Sequence, residues 1–319
     1  MHDGHLKATA PVEVAPGVSA VDLWDRGRPR HTSGYFIAAP RPAVVEAGAA
    51  RSVEVWLQAL SDLGIAPRDL AYVIVTHIHL DHAGGAGALL RHLPGAQVAV
   101  HRHGARHLVD PSRLIAGARA VFGDNLDAYF GLPEPVPEAR LLVLERGGEL
   151  DLGGGHRLRS FDAPGHARHQ HMILDGGTGC LFSGDELGGR FVDIAGDYVL
   201  PDAAPNQFDP EAMQRSARLM LTLAPEAVLL SHFGRYPRDC AALAQRLHEQ
   251  VEAFVALGRA AAAAPGREQV HARLTEHVRH DLAAQGLAWT PAVEEILAEH
   301  LEVSAQGIAD YHERQGRPG

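Results

Sequence analysis

Four side chains of the kind that bind metal ions fall within six residues of the segment THIHLDHAGG, residues 76–85. They are His77, His79, Asp81 and His82. The segment follows an apolar, β-rich run at 72–75, so the cluster lies where a buried strand ends. In a turn after a strand, the His-x-His spacing places two imidazoles on the same side, while Ile78 and Leu80 face the core. The pattern predicts a metal site rather than a loop that is merely rich in histidine.

The second half of the chain repeats this logic three times, as a short apolar strand, a turn and then one His or Asp. The strands at 158–163, 180–182 and 228–230 lead in this way to His166, Asp185 and His232. Side chains at the carboxyl ends of strands gather at one edge of a sheet, where α/β proteins build their sites. The seven groups are too many for one tetrahedral ion and suit two ions that share a carboxylate.

These motifs resemble the metallo-β-lactamase superfamily in order, spacing and strand-end context over roughly residues 15–235. The chain is most similar to the hydrolase branch that includes glyoxalase II-type thioesterases and acyl-homoserine lactonases. The segment 101–114 and the helical tail also resemble a poorly characterised subgroup of that superfamily. The resemblance implies an α/β fold, a four-layer αββα sandwich with a helical C-terminal extension.

The resemblance also implies two divalent metal ions per chain, with Zn²⁺ as the default and Fe or Mn as alternatives. One ion would be held by His77, His79 and His166, the other by Asp81, His82 and His232, and Asp185 would bridge them. The segment PGHARHQH offers three histidines for the third position of the first ion. His166 follows the Pro-Gly turn and matches the family position, so we expect His169 to support the site or line its pocket and His171 to be structural.

A further group of residues is predicted to support the metals or to contact substrate. Glu46 stands where the superfamily commonly has an Asp behind the metals. Of His101, His103 and His107, we expect at least one to line the pocket. The aromatic candidates for an apolar pocket wall are Tyr35, Phe122, Tyr129, Phe130 and Phe208.

The predicted reaction is metal-assisted hydrolysis of an ester, thioester or lactone of a small molecule. Two cations would lower the pKa of a bound water, and Asp81 would orient the nucleophile or carry its proton. Asp185 is followed by ELGGR and no tyrosine precedes Tyr198, which departs from the lactonase pattern. The alternative is a mononuclear iron enzyme of the persulfide dioxygenase type, which shares the fold and these ligands.

The elements that must position these residues can be read from periodicity. Strands at 34–39 and 43–49 flank a Pro-Arg-Pro turn and predict a hairpin. A helix is predicted over 52–63, with Ser52 as its N-cap and Gly64 as its stop, followed by a strand at 71–75. A helix over 84–93 and a strand at 98–100 come next. Residues 101–137 show little regular pattern, which makes them a candidate lid.

From residue 238 onward the sequence becomes helical, which predicts a catalytic domain at 1–237 and a helical extension at 238–319. Helices are expected over 238–264, 267–285 and 291–315. The tail is a candidate for capping the active site or forming a homodimer.

The net charge, the cysteine count and the lengths of the apolar runs indicate which partners and which compartment to expect. The formal net charge of −10 argues against nucleic acid, and two cysteines imply no disulfide framework. We expect a cytoplasmic protein without a membrane segment, because no apolar run reaches transmembrane length and no secretion signal is visible.

Overall fold

The computed structural model describes residues 10–195, 198–261 and 267–316. The chain divides into two units. The first contains Met1–Asp162, His169–Gly184 and Pro225–Tyr236, and the second contains Ala163–Arg168, Asp185–Ala224 and Pro237–Gly319. The domain boundary at 237/238 stays a prediction.

The strands of the described residues are β1 (Val12–Ala15), β2 (Val18–Asp22), β3 (Ser33–Ile37), β4 (Ala43–Val45), β5 (Tyr72–Ile74), β6 (Gln97–His101), β7 (Leu141–Leu144), β8 (Glu149–Asp151), β9 (Arg157–Asp162), β10 (His171–Asp175), β11 (Cys180–Phe182), β12 (Gly189–Phe191), β13 (Tyr198–Leu200), β14 (Ala227–Leu230) and β15 (Gly234–Arg235). The α-helices are α1 (Val53–Asp62), α2 (Leu80–Ala83), α3 (Ala86–Leu90), α4 (Arg102–Val109), α5 (Ser112–Phe122), α6 (Leu126–Tyr129), α7 (Val192–Ala195), α8 (Pro210–Leu223), α9 (Cys240–Ala261), α10 (Arg267–Ala284) and α11 (Pro291–Gln315).

The first unit holds two mixed sheets. One runs in chain order from β1 to β7, antiparallel as far as β4 and parallel from β4 to β7. The other has the order β15-β14-β11-β10-β9-β8, and its β11–β14 pair is parallel. The predicted hairpin is confirmed by the antiparallel pairing of β3 with β4. Because β4, β5 and β6 are parallel, their carboxyl ends meet at one edge, as do those of β11 and β14.

The core of the first unit lies between the two sheets. Ile37, Val45 and Ile74 from one sheet are buried with Phe182 and Leu229 from the other. This packing is the α/β sandwich that the resemblance implied, and that expectation is confirmed.

Helix α1 packs on the outer face of the first sheet. Its Trp56 is buried with strand residues such as Val73 and Val98. A Cβ at Gly34 would lie 2.3 Å from Trp56 Cζ2, so the sheet needs glycine at that position.

The second unit contains the antiparallel pair of β12 and β13 and helices α7 to α11. Helices α9, α10 and α11 agree with the predicted tail helices to within a few residues, and residues 262–264 of the first predicted helix lie outside the described residues. Arg246 of α9 donates two hydrogen bonds to the Asp281 carboxylate of α10, at 2.8 and 2.6 Å. In the described part of the chain, no helix is both long and apolar enough to cross a membrane.

The prediction of an irregular segment at 101–137 was wrong, because α4, α5 and α6 occupy much of it. In α5 the apolar residues Leu114, Ile115, Ala118, Val121 and Phe122 follow the helical period. Pro111 before this run and Gly123 after it divide the segment, so each helix is short and its period is easily overlooked.

Two predicted details of helices were also wrong. Ser52 makes no side-chain cap for α1, since its hydroxyl donates to the carbonyl oxygen of Leu23 at 3.0 Å. The helix expected over 84–93 is shorter than predicted, since α3 spans only Ala86–Leu90 and the separate helix α2 ends before it, at Ala83. Between α2 and α3 the backbone passes close to Ala49, because a Cβ on Gly85 would lie 2.7 Å from the carbonyl oxygen of Ala49.

His171 joins the two sheets of the first unit beside the opening motif. Its Nε2 donates to the carbonyl oxygen of Val75 at 3.0 Å, and its Nδ1 accepts from the hydroxyl of Ser160 at 2.7 Å. Its backbone N–H donates to the carbonyl oxygen of Thr76, also at 3.0 Å. Burial lowers the pKa of His171 to about 4. The neutral ring is therefore part of the fold.

This shifted pKa predicts a pH-dependent stability. Below the ordinary pKa of 6.5 the unfolded chain binds a proton that the folded chain binds only near pH 4. The free energy of unfolding should therefore fall between those pH values by up to about 1.4 kcal/mol per pH unit from this residue. Urea unfolding of chelator-treated protein at pH 7, 6 and 5 measures the slope. The variant His171→Gln should show a shallower slope than the wild type, and equal slopes would contradict the assignment.

Candidate metal centre

Asp81, His82 and His232 form a group of three candidate ligands in the first unit. Asp81 and His82 lie on α2, and His232 follows the carboxyl end of β14. Their candidate ligand atoms all lie within 4.8 Å of one another. The Nε2 atoms of His82 and His232 are 3.3 and 3.4 Å from Asp81 Oδ2. Two imidazole nitrogens and one carboxylate oxygen thus converge on one small volume.

The other ring nitrogen of each histidine in this group is held from behind. His82 Nδ1 lies 3.2 Å from Glu46 Oε1, and His232 Nδ1 donates to the carbonyl oxygen of His31 at 2.8 Å. Protein acceptors behind an imidazole fix its tautomer and turn its second nitrogen toward a metal ion. The chemistry of this donor set therefore fits a divalent ion such as Zn²⁺.

The charge state of Asp81 also suits a ligand. Burial would raise the pKa of this carboxyl, but the neighbouring His82 and His232 outweigh burial and hold the pKa well below its usual range. Asp81 is therefore ionised at neutral pH.

His77 and His79 form a second pair in the first unit. His77 Nε2 and His79 Nδ1 are 3.0 Å apart. The Thr76 hydroxyl donates to Glu46 Oε1 at 2.5 Å, so its oxygen is free to accept from His77 Nδ1 at 3.1 Å. The His77 ring is consequently held from behind like those of His82 and His232.

In the second unit, His166 and Asp185 lie beside each other. His166 Nδ1 donates to the carbonyl oxygen of Asp202 at 2.9 Å, and its Nε2 is 3.6 Å from Asp185 Oδ2. The buried carboxyl group of Glu186 accepts from the backbone N–H groups of Gly165 and His166 at 3.0 and 2.9 Å. Burial raises the pKa of Glu186 to about 8. In His166, Nδ1 is bound to the protein, which leaves Nε2 as the nitrogen that a metal ion would use.

Glu46 contacts His82 and the residues that directly precede His77 and His232. Its carboxylate accepts from the hydroxyls of Thr76 and Ser231 (2.7 Å for Ser231) and lies beside His82. The residue is fully buried, and its φ of +67° lies in the left-handed region, which non-glycine residues rarely adopt. The backbone N–H donates to Ile74 and the carbonyl accepts from Trp56 Nε1. Strain of this kind, held by its surroundings, is typical of functional sites.

The remaining predicted histidines lie in the first unit. The His169 ring stacks on that of His77 with centroids 6.1 Å apart, and its Nδ1 accepts from the backbone of Ile78 at 3.5 Å. His101 is buried at the end of β6, with Nε2 3.2 Å from Asp162 Oδ1. His107 lies on α4 and is half-buried. Substrate contact by any of these residues stays a prediction.

The aromatic candidates occupy three different environments. Phe130 is buried with Leu80 of the metal-binding turn, and Phe122 and Tyr129 pack against that cluster. The Tyr35 ring instead lies in the core between the sheets, where its hydroxyl donates to the carbonyl oxygen of Leu230. Phe208 is buried in the second unit beside Tyr311.

Sequence reasoning did not find several residues that support the candidate ligands. Thr76 and Ser231 each precede a candidate histidine, and a hydroxyl residue in that place was the available signal. The carbonyl of His31, which holds His232, had no signal. The Asp202 carbonyl gave none either, since any residue carries a carbonyl group.

The comparison with sequence families decides what kind of protein carries this site. The sequence model of the metallo-beta-lactamase superfamily matches residues 32–232. The chain belongs to this superfamily. The matched range includes all seven candidate ligands. The more specific branch, glyoxalase II or lactonase, stays a prediction.

The chain is about 30% identical in sequence to individual related proteins. The chain is 32% identical over 168 residues to the metallo-beta-lactamase fold-containing protein ST1585 of Sulfurisphaera tokodaii, covering 52% of this chain and 61% of that protein. The solved structure of ST1585 superposes with a TM-score of 0.65 at 23% identity, covering 92% of this chain and 98% of that one. The acyl-coenzyme A thioesterase MBLAC2 of Gallus gallus is 29% identical over 223 residues, covering 61% of this chain and 70% of that protein.

The position of Glu46 predicts a measurable effect on metal binding. Glu46→Gln keeps the shape and an acceptor oxygen but removes the charge behind His82, so His82 becomes a weaker ligand. We expect the affinity for Zn²⁺ to fall about 10–100-fold at the site that includes His82. Competition with a chromogenic chelator measures the Zn²⁺ affinity.

The matched control is Glu54→Gln, which changes an exposed carboxylate on α1. It should leave Zn²⁺ affinity unchanged. Equal affinities in the wild type and Glu46→Gln would show that Glu46 has no such role.

Proposed function

We propose that this chain is a binuclear metal-dependent hydrolase that cleaves an ester, thioester or lactone bond of a small molecule. The observation that carries the proposal is the Asp81, His82 and His232 group, in which both imidazoles are held from behind and directed at one ionised carboxylate. An enzyme with one ion at His77 and His79 would not need this second group. Membership of the metallo-beta-lactamase superfamily supports a hydrolase.

The proposed ligand sets follow the family resemblance. His77, His79 and His166 would hold one ion, Asp81, His82 and His232 the other, and Asp185 both. Imidazole and carboxylate donors favour Zn²⁺, and Fe or Mn would also be accepted.

The residues themselves would orient the reactants. Bound divalent ions would supply a water of lowered pKa that is deprotonated near neutral pH. Asp81 is ionised, and its side chain is 15% exposed, so it can accept a hydrogen bond from an attacking water. His82 Nδ1 lies 3.2 Å from Glu46 Oε1, and His232 Nδ1 donates to the His31 carbonyl, so each ring would offer Nε2 to an ion.

A thioester is the substrate class to test first. One relative, MBLAC2, is named as an acyl-coenzyme A thioesterase, and it matches 61% of this chain. Lactones and simple esters share the carbonyl that a hydroxide attacks and are the next classes. An acyl thioester therefore leads the panel of small-molecule substrates.

The test combines metal analysis with a substrate panel. Protein purified without added metal should contain about two Zn, Fe or Mn ions per chain and hydrolyse at least one thioester, lactone or ester. His232→Ala should lose about one ion and at least about 100-fold in kcat/KM, since even a supporting residue costs 10–100-fold. His92→Ala, an exposed histidine on the same unit, is the matched control and should change neither value.

Other outcomes would contradict the proposal. A single iron per chain with oxygen uptake on glutathione persulfide would indicate the dioxygenase reaction instead. Two ions with His232→Ala fully active would place the catalytic group elsewhere.

A further inference from the structure

We infer that helix α11, in the C-terminal tail, is a positioning element for the candidate ligand His166. The inference rests on the proposed metal site and adds a function for the tail. Both α11 and His166 belong to the second unit. The segment that connects them, residues 201–208, lies between β13 and α8 and forms neither helix nor strand.

The segment 201–208 fixes the His166 ring directly. The Asp202 carbonyl oxygen accepts from His166 Nδ1 at 2.9 Å, so Nδ1 carries the proton and Nε2 keeps the lone pair that a metal needs. A shift of this carbonyl would turn the ring or release its tautomer. Apart from the turn at Ala204, whose carbonyl accepts from the N–H groups of Gln207 and Phe208, the segment has no repeating hydrogen bonds of its own. Its position must therefore be set by its neighbours.

One face of α11 holds that segment along its length. His300 Nδ1 lies 3.2 Å from Asp202 Oδ1, and Asp310 Oδ2 accepts from the backbone N–H of Asn206 at 2.9 Å. Farther on, Arg314 Nη2 donates to the carbonyl oxygen of Phe208 at 2.8 Å. Positions 300, 307, 310 and 314 recur at three-, four- and seven-residue spacings, which places them on one helix face.

Gly307 brings the helix and the segment into backbone contact. A Cβ at this position would lie 1.9 Å from the Ala203 carbonyl oxygen and 2.6 Å from its carbonyl carbon. Only glycine allows that approach. Four points along the helix thus meet four successive parts of the segment, and the first of them is the residue that holds His166.

The experiment measures Zn²⁺ affinity of metal-free full-length protein by competition with a chromogenic chelator, and thermal stability in parallel. His300→Ala should weaken one of two Zn²⁺ sites about 10–100-fold and leave the other unchanged. His300→Asn should restore affinity, because the Asn Nδ2 can replace the His Nδ1 as donor to Asp202. Gly307→Ala should weaken the same site as His300→Ala.

The control separates positioning from general packing. Ile308 is fully buried on the same helix but faces α9, since a Cβ on Gly258 would lie 2.6 Å from Ile308 Cγ2. Ile308→Ala should lower thermal stability and keep both Zn²⁺ affinities within about twofold of the wild type.

The outcomes distinguish this inference from the proposed function. If the wild type binds two Zn²⁺ ions and His300→Ala binds them equally well, the positioning role is overturned while the metal site stands. If Ile308→Ala weakens Zn²⁺ as much as His300→Ala, the helix acts only through stability, which also overturns the inference. A wild type that binds no Zn²⁺ overturns both.

Discussion

The buried carboxylate of Glu46 is the interaction on which the candidate site depends. It accepts from Thr76 and Ser231, the residues directly before two candidate ligands, and it lies 3.2 Å from His82 Nδ1. The Thr76 hydroxyl, which donates to Glu46, also accepts from His77 Nδ1 and so connects Glu46 to the His77 ring. The rings of His77, which follows β5, and His82, on α2, are therefore both oriented by this carboxylate, whereas the carbonyl of His31 holds the His232 ring.

Holding Glu46 in this place is costly. Its left-handed backbone costs on the order of 1–3 kcal/mol, and a buried carboxylate loses hydration worth several kcal/mol more. Hydrogen bonds from two hydroxyls offset part of that cost, and the backbone contacts with Ile74 and Trp56 keep the residue from relaxing. A glycine would be easier to place at φ +67°, so the glutamate side chain is held there at a conformational cost that glycine would avoid.

Much of this arrangement was predictable because the ligands follow strand ends. The polar residues after short apolar strands gave the seven candidate ligands, whereas the sandwich fold and the supporting place of Glu46 came from the family resemblance. The supporting contacts were not predictable from pattern, because they use groups without sequence identity, such as the carbonyls of His31 and Asp202. The helices in 101–137 were missed for another reason, since short amphipathic helices separated by Pro111 and Gly123 leave little period to detect.

The most direct measurement is anomalous scattering at the zinc edge from crystals of the metal-loaded protein. The account predicts two peaks per chain. One should be bonded to Nε2 of both His82 and His232 and to the Asp81 carboxylate, with Glu46 still beside His82 Nδ1. A single peak at His77 and His79, or a peak bonded to His82 through Nδ1, would contradict the role given to Glu46 and to the second ligand group.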